Sequence, residues 1–371
     1  MSDRGLPRAV RVAAHAARSD ILGWAVAVGL LLVLPLWLSS FWLQTWLFAM
    51  AAAVAAVGLT LLVGTAGQLS LGHAFFVAVG AYGYAYLAGE GTSVGVGGAD
   101  GLGWPPVAAA VTAVAIAGAF GAVFSPLASR LRGIYLGIAT LGLVFIGLHL
   151  LRNVEGFQPV SGSDNGRGVA TFTAAGHAVD ELTELWYLGL AVVALACWFA
   201  RNVQRGRPGR ALEAVRDSEV LASVMGVRVG AAKAAAFTVS STYAGLAGVL
   251  LALSYRHIVP ETFDFLYSID LLAMVVIGGL GSVAGAVVGA AFVTILPLTL
   301  SHYADEIPVV EPVGGGGFDA ATLARVAYGT GVVVALMFPD ALPRAWRRLS
   351  ELRRSPGRPA ATQHQPAEQT A

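Results

Sequence analysis

The sequence predicts an all-α fold, a polytopic helical membrane protein with about eight full spans plus a broken, re-entrant helix pair. Three observations predict it. Hydrophobic residues make up 56% of the 371 positions and charged residues 12%, against roughly 45–50% and about 25% in soluble globular chains. Mean hydropathy is +0.71. The apolar residues gather into runs close to the roughly 20 residues a helix needs to cross about 30 Å of hydrocarbon. A soluble fold of this size would need far more charge on its surface. Disorder, collagen, coiled coil and a disulfide scaffold are excluded by the same numbers.

Taken in order, residues 1–20 form a basic N-terminal tail holding Arg4, Arg8, Arg11 and Arg18. Spans are expected at 21–39, 41–63, 69–89, 106–127, 134–151, 184–200, 235–254 and 320–338. The first follows a basic segment as a signal peptide would. It lacks an Ala-x-Ala cleavage site, and Phe41-Trp42 follow at once, so it reads as a retained helix. The stretch 270–298 is too long for one comfortable span and is interrupted by Gly278-Gly279-Leu280-Gly281-Ser282. Residues 21–338 thus form a transmembrane domain, and 339–371 a basic, largely disordered cytoplasmic tail.

Charge placement sets the sidedness. The N-terminal tail, the 128–133 turn, the 201–234 loop and the tail after Phe338 hold 19 of the 23 basic residues. The 89–105 connection holds none, and 301–319 carries Asp305, Glu306, Glu311 and Asp319. Positive charge marks the cytoplasmic side, so both termini and the 201–234 loop are expected inside. Residues 255 and 305 then lie on the same outer side. The 270–298 stretch must cross an even number of times, as a helix, a break at 278–282 and a return helix.

Two glycine-broken segments carry the polar residues. The first is Gly64-Thr65-Ala66-Gly67-Gln68-Leu69-Ser70-Leu71-Gly72-His73, followed by Phe75 and Phe76. The second contains Gly279, Gly281 and Ser282. Broken backbone at membrane depth is tolerated only inside protein or beside a water-filled cavity. Half-helix starts offer free N–H groups to a carboxylate. The two breaks therefore read either as a substrate pathway in which Gln68, Ser70 and His73 line the route, or as close helix packing beside an ordinary turn. The Gly281-x-x-x-Gly285-x-x-x-Gly289 stripe is explained by packing alone. His73 reads as a neighbour's hydrogen-bond partner before it reads as a proton relay. Asp270 is expected as a solvated cap and Arg325 as a snorkelling or paired charge.

The 201–234 loop reads as a short amphipathic helix from Ala211 to a stop at Gly226, with Pro208-Gly209 before it. Its carboxylates balance its basic residues, so it lacks the cationic face of a lipid-surface helix. Docking onto a soluble partner fits better, through Glu213, Arg216, Asp217, Glu219 and Gly226. The outer loop 152–183 carries a polar Ser161–Gly166 stretch that suits a pore cap or a solvated turn equally.

Several chemistries are excluded. Cys197 is the sole cysteine, so there is no intrachain disulfide and no cysteine metal site. Net charge is +1, without the basic footprint of a nucleic-acid binder. There is no Gly-Lys-Ser/Thr phosphate cradle and no His-Glu-x-x-His. No cofactor is expected, and an enzyme is not the reading.

At these residues the chain resembles a known family. Gly67-Gln-Leu-Ser-Leu-Gly-His-Ala-Phe-Phe-Val-Ala-Val-Gly-Ala-Tyr82 is similar to the signature of high-affinity branched-chain amino-acid ABC permeases. Gly209-Arg-Ala-Leu-Glu-Ala-Val-Arg-Asp-Ser-Glu219, with Met225-Gly-Val227 and Lys233, resembles their cytoplasmic coupling segment. Ser268–Gly285 resembles a third block. Order and spacing suit the LivM type over the shorter LivH type, across about residues 20–338. The resemblance implies a bacterial inner-membrane importer with two cytoplasmic ATP-binding subunits, a second related permease and an extracytoplasmic substrate-binding protein. It implies a coupling helix seated in an ATPase cleft, although the general EAA loop is loosely matched, with Gly226 seven residues after Glu219. Urea and short-amide permeases share the blocks. The competing classes are an ion- or proton-coupled secondary transporter, for which Asp270 is the one intramembrane carboxylate on offer, and a passive channel or scaffold.

Overall fold

The computed structural model describes residues 32–89, 101–131, 133–162, 166–174, 177–303 and 320–337. Most of the expected first span, both tails, the 90–100 and 304–319 connections and Ser163–Asn165 lie outside the described residues. The helices are α1 (Ser40–Leu59, continued by a π-turn over Thr60–Thr65), α2 (His73–Ala88), α3 (Pro106–Arg130), α4 (Ile134–Asn153), α5 (Leu182–Arg205), α6 (Arg207–Asp217), α7 (Glu219–Val224), α8 (Val229–Tyr255), α9 (Phe265–Gly278), α10 (Val283–His302) and α11 (Ala320–Met337). Among the described residues, six helices are long and apolar enough to cross a membrane, and α9 is a shorter apolar helix. The protein is an all-α, multi-pass membrane protein.

Each expected span has a helix where residues are described, with shifted ends. The 69–89 span starts only at His73, because residues 66–72 are irregular. The 235–254 span begins earlier, at Val229, and takes in Lys233. The 270–298 stretch is a helix, a break at 279–282 and a second helix. Asp264 and Ser282 cap α9 and α10 by accepting from the Tyr267 and Gly285 N–H groups, which satisfies donors that helix starts leave free.

α1 and α8 form the centre. Almost all of α1 is buried, and α8 packs on α1, α2 and α3. Small residues permit that crossing. A Cβ at Gly80 would lie 2.1 Å from the Gly245 carbonyl oxygen, and one at Gly248 would lie 2.0 Å from that of Val77. In lipid, where no hydrophobic force drives helices together, such backbone approach supplies the association energy through dispersion contacts. α3, α4, α5 and α10 are peripheral, and they expose Val123, Tyr135, Phe145, Leu195, Trp198 and Val288. A water-facing surface would not carry that apolar area.

At the end of the bundle where α8 terminates, short strands close the surface. β1 (Arg167–Gly168) pairs antiparallel with β4 (His257–Ile258), and β2 (Phe172–Ala174) with β3 (His177–Val179). Arg167 is buried there; it donates to the Pro159 carbonyl and lies over the Tyr86 ring. Arg256 pairs with Asp180 at 2.5 Å.

Candidate translocation and coupling site

The two glycine breaks meet. α1 does not simply stop: it widens into the π-turn Thr60–Thr65, with the Ala66 N–H bonded to the Leu61 carbonyl and the Gln68 N–H to that of Leu62. π-turns inside α-helices recur at functional sites. Gly67 then turns the chain at φ +69°. Gly64 lies against the second break so closely that a Cβ on it would be 2.2 Å from the Gly281 nitrogen. Gly279 and Gly281 both hold positive φ, at +92° and +84°, a region that favours glycine. Behind this contact, Gly278, Gly285 and Gly289 let α9 and α10 cross with backbone in contact, so the small-residue stripe is a packing device.

Two polar side chains tie the breaks to the 201–234 segment. Gln204, at the end of α5, donates its amide N–H to the Thr65 hydroxyl at 3.2 Å and to the Gly281 carbonyl at 3.0 Å, bridging the two breaks. Arg216, on α6, donates to the Gly64 carbonyl at 2.8 Å. Its methylene stem lies against Gly67, where a Cβ would come within 2.7 Å of Cγ. Arg216, expected at a docking surface, reaches the first break with its head while its side chain stays 44% exposed, with Asp217 at 3.1 Å. Gln204 carries no local sequence signal and was missed.

Around the first break the polar groups form a closed chain. Ser240 donates to the Gly58 carbonyl at 2.7 Å, so it accepts from His73 Nε2 at 2.7 Å. The His73 Nδ1 is then the acceptor facing Ser70 at 3.2 Å, and Ser70 accepts from the Gly72 N–H. The Ser240 bond makes Nε2 the donor nitrogen of His73, and in the neutral ring Nδ1 then takes the Ser70 hydroxyl proton. The Leu71 N–H is bonded to Thr140, and the Ala74 N–H to Ser268. A Cβ at Gly72 would lie 2.2 Å from the Thr140 carbonyl oxygen. Gln68 differs from its neighbours: its side chain is 4% exposed, and neither amide atom has a partner among the described residues. A buried amide with both ends open is costly unless something bonds it. Of the expected pathway residues, Gln68 is the one whose buried side-chain atoms have no partner among the described residues. Phe75 packs edge-on to Phe76 and against Gly147.

The coupling segment departs from the single expected helix. Ser218 is extended and breaks it into α6 and α7, accepting from the Leu221 N–H as a cap. α6 starts at Arg207, earlier than Ala211, with Pro208 in its first turn. Gly226, at φ +84°, ends α7, and the Val227 N–H reaches back to the Ala222 carbonyl, the pairing that closes a helix on a left-handed residue. Glu219, expected at a partner surface, pairs with Lys233 of α8 at 2.5 Å, with side-chain exposures of 25% and 6%. Glu213 and Asp217 are exposed. The outward face of α7 and its end is apolar instead, with Val220, Leu221, Val224 and Met225 largely in solvent. That patch was missed in favour of the charges beside it. Elsewhere, His149 accepts from Asn153 at 3.1 Å, Arg325 is exposed and Cys197 is half-buried.

The fold and this site define a class: a multi-pass helical membrane protein whose broken helices are wired to a segment at one end of the bundle. The chain belongs to the family of branched-chain amino acid transport system permease components, whose model matches residues 41–338. It is 31% identical over 267 residues to the high-affinity branched-chain amino acid transport system permease protein LivM of Salmonella typhimurium, covering 64% of this chain and 59% of that protein. To LivM of Escherichia coli K12 it is 30% identical, covering 63% of this chain and 57% of that protein. To the permease protein BraD of Pseudomonas aeruginosa it is 27% identical over 38% of this chain and 41% of that protein. The matches to LivM thus span under three fifths of the relatives' length. No solved structure matches the chain.

Proposed function

We propose that this chain is the membrane-spanning subunit of a binding-protein-dependent ABC importer in the bacterial inner membrane, moving branched-chain or related amino acids inward. Both termini and α6–α7 face the cytoplasm in this reading. ATP is hydrolysed by two separate subunits, and a second related permease and an extracytoplasmic binding protein complete the assembly. The observation that carries it is the pair of ties from Gln204 and Arg216 to the two breaks. A secondary transporter or a passive channel has no use for a coupling segment wired to its pathway.

In this mechanism an ATPase subunit seats on Val220, Leu221, Val224 and Met225 of α7. Displacement of α6 and α7 pulls on the Gly64 carbonyl through Arg216. The Gln204 amide carries that pull to Gly281. Joint displacement of the two breaks exposes Gln68, whose open amide accepts from the ammonium and donates to the carboxylate of a passing zwitterion. Ser70 and His73 hold the loop in place, and Phe75 supplies apolar wall. No fixed charge stands at the breaks except Arg216, so substrate is released as readily as it is accepted.

The test is ATP-dependent uptake of radiolabelled L-leucine into proteoliposomes holding this chain, its ATPase subunits, its partner permease and its binding protein. Uptake that needs ATP and falls with Gln68→Leu supports the reading. Uptake driven by an ion gradient without ATP overturns it.

A further inference from the structure

A second site stands at the other end of the bundle. Between α2, α3 and α4 lies a cavity of about 350 Å³, with walls that include Phe75, Val79, Phe120, Leu148, Val160 and Phe263. Its lining is almost wholly hydrocarbon, which suits an aliphatic group and rejects a bare charge. Two tyrosines, Tyr82 and Tyr86, belong to the wall. The Tyr82 side chain is 2% exposed, and its hydroxyl has no partner among the described residues.

The rim carries charge of both signs. Arg152, at the end of α4, pairs with Glu261 at 2.5 Å, with side-chain exposures of 44% and 61%. Each is anchored beside the cavity, since Leu151 precedes Arg152 and Phe263 closely follows Glu261, and both neighbours are wall residues. Phe263 also packs on the Tyr82 ring. A solvent-exposed ion pair is held weakly, so opening it to admit another pair of charges costs little.

An aliphatic amino acid matches this arrangement group by group. We infer that Arg152, Glu261 and Tyr82 with the α2–α3–α4 cavity form a loading site for a zwitterionic amino acid. The substrate carboxylate replaces Glu261 on the Arg152 guanidinium. The ammonium replaces Arg152 on the Glu261 carboxylate. The branched side chain enters the cavity, and the Tyr82 hydroxyl donates to the carboxylate at the boundary. The inference rests on the reading of the chain as an amino-acid permease. It adds a position at the rim where α4 ends, away from α6–α7, from which the cavity runs along α2 to Phe75 beside the first break, so substrate meets selectivity for an apolar side chain before it reaches Gln68.

The test is equilibrium binding of radiolabelled L-leucine and D-leucine to the detergent-purified permease–ATPase complex without its binding protein, whose own stereochemistry then does not enter. Removing either charge, in Arg152→Ala or Glu261→Ala, should weaken L-leucine roughly tenfold to a hundredfold, the scale of one lost charge-assisted hydrogen bond. Filling the cavity with Val79→Trp should abolish discrimination between L-leucine and glycine. The decisive variant exchanges the charges, Arg152→Glu with Glu261→Arg. With the side chain fixed in the cavity, exchanging the sites for ammonium and carboxylate inverts the handedness accepted at Cα. The exchange should shift preference from L- to D-leucine. Full recovery of L-leucine binding in the exchanged variant would make the pair a structural clasp and overturn the site. So would wild-type L-leucine binding in Val79→Trp, including the case in which that variant loses only co-purified lipid. Failure of the wild-type complex to take up any aliphatic amino acid would overturn the permease reading, and this site with it. Normal wild-type uptake with unaltered variants overturns the site alone.

Discussion

Gly64→Ala is the sharpest perturbation the structure offers. The added Cβ would sit 2.2 Å from the Gly281 nitrogen and 2.6 Å from its Cα. Ordinary contact begins near 3.4 Å, so backbone must retreat by about 1 Å, and no flexible side chain can absorb it. Overpacking of this kind costs about 1–3 kcal/mol. Gln204 holds Gly281 and Thr65 at 3.0 and 3.2 Å, and moving Gly281 stretches at least one of those bonds beyond reach, adding roughly 1 kcal/mol. The sum, about 2–4 kcal/mol, falls on the contact between the breaks and leaves the α1–α2–α3–α8 centre intact. Assembled complex should therefore still be recovered, with a melting temperature lowered by several degrees. Uptake in proteoliposomes should fall at least tenfold while ATP turnover continues, because the breaks no longer follow α6. Unchanged uptake together with an unchanged melting temperature would refute the argued role of the Gly64–Gly281 contact.

Further outcomes follow from the same geometry. Single cysteines at Ser223 and Ser355, in a chain with Cys197 replaced, should be protected from a membrane-impermeant thiol reagent in intact cells, while one at Ser93 should label; labelling at Ser223 would invert the orientation. Leu221→Asp with Val224→Asp should release the ATPase subunits on size-exclusion chromatography, whereas Glu213→Ala should not, and retention in the first variant would remove α7 as the seat. Glu219→Ala should lower thermal stability more than Lys233→Met, because it strands the more buried charge; the reverse order in a melting series would contradict the pairing. Ser240→Ala leaves the His73 Nε2–H without an acceptor in a buried position and should cost about 1–3 kcal/mol in the same assay.

The spans were legible because apolar runs in lipid need no second partner to explain them. The break between α9 and α10 was visible as the glycine run at 278–281. Other features had no local signature. α8 starts before Lys233 because that lysine is neutralised by Glu219, fourteen positions away in the chain, and a hydropathy reading sees only a charge that should end a span. Gln204 sits at the end of an apolar helix, and its two acceptors come from segments far off in sequence. Ser218 splits the coupling helix because its hydroxyl competes for the Leu221 N–H, a choice between two local bonds that spacing does not decide. Val220 and Leu221 read as ordinary apolar positions until the helix is docked and they are left outward. The glycines of both breaks were visible as a pattern, and their mutual contact at Gly64 and Gly281 required the fold.

The central claim is that α6 and the two breaks move together under ATP. It is tested most directly by electron–electron distance measurements on the assembled complex, with spin labels at Glu213 on α6, Leu280 in the second break and Val111 on the exposed face of α3. The chain would carry Cys197→Ser. The account predicts that the 213–280 distance stays constant between the nucleotide-free and the vanadate-trapped states, while both distances to 111 change together, and that Gln204→Leu uncouples them. A 213–111 distance that changes while 280–111 stays fixed in the unmodified chain would contradict it.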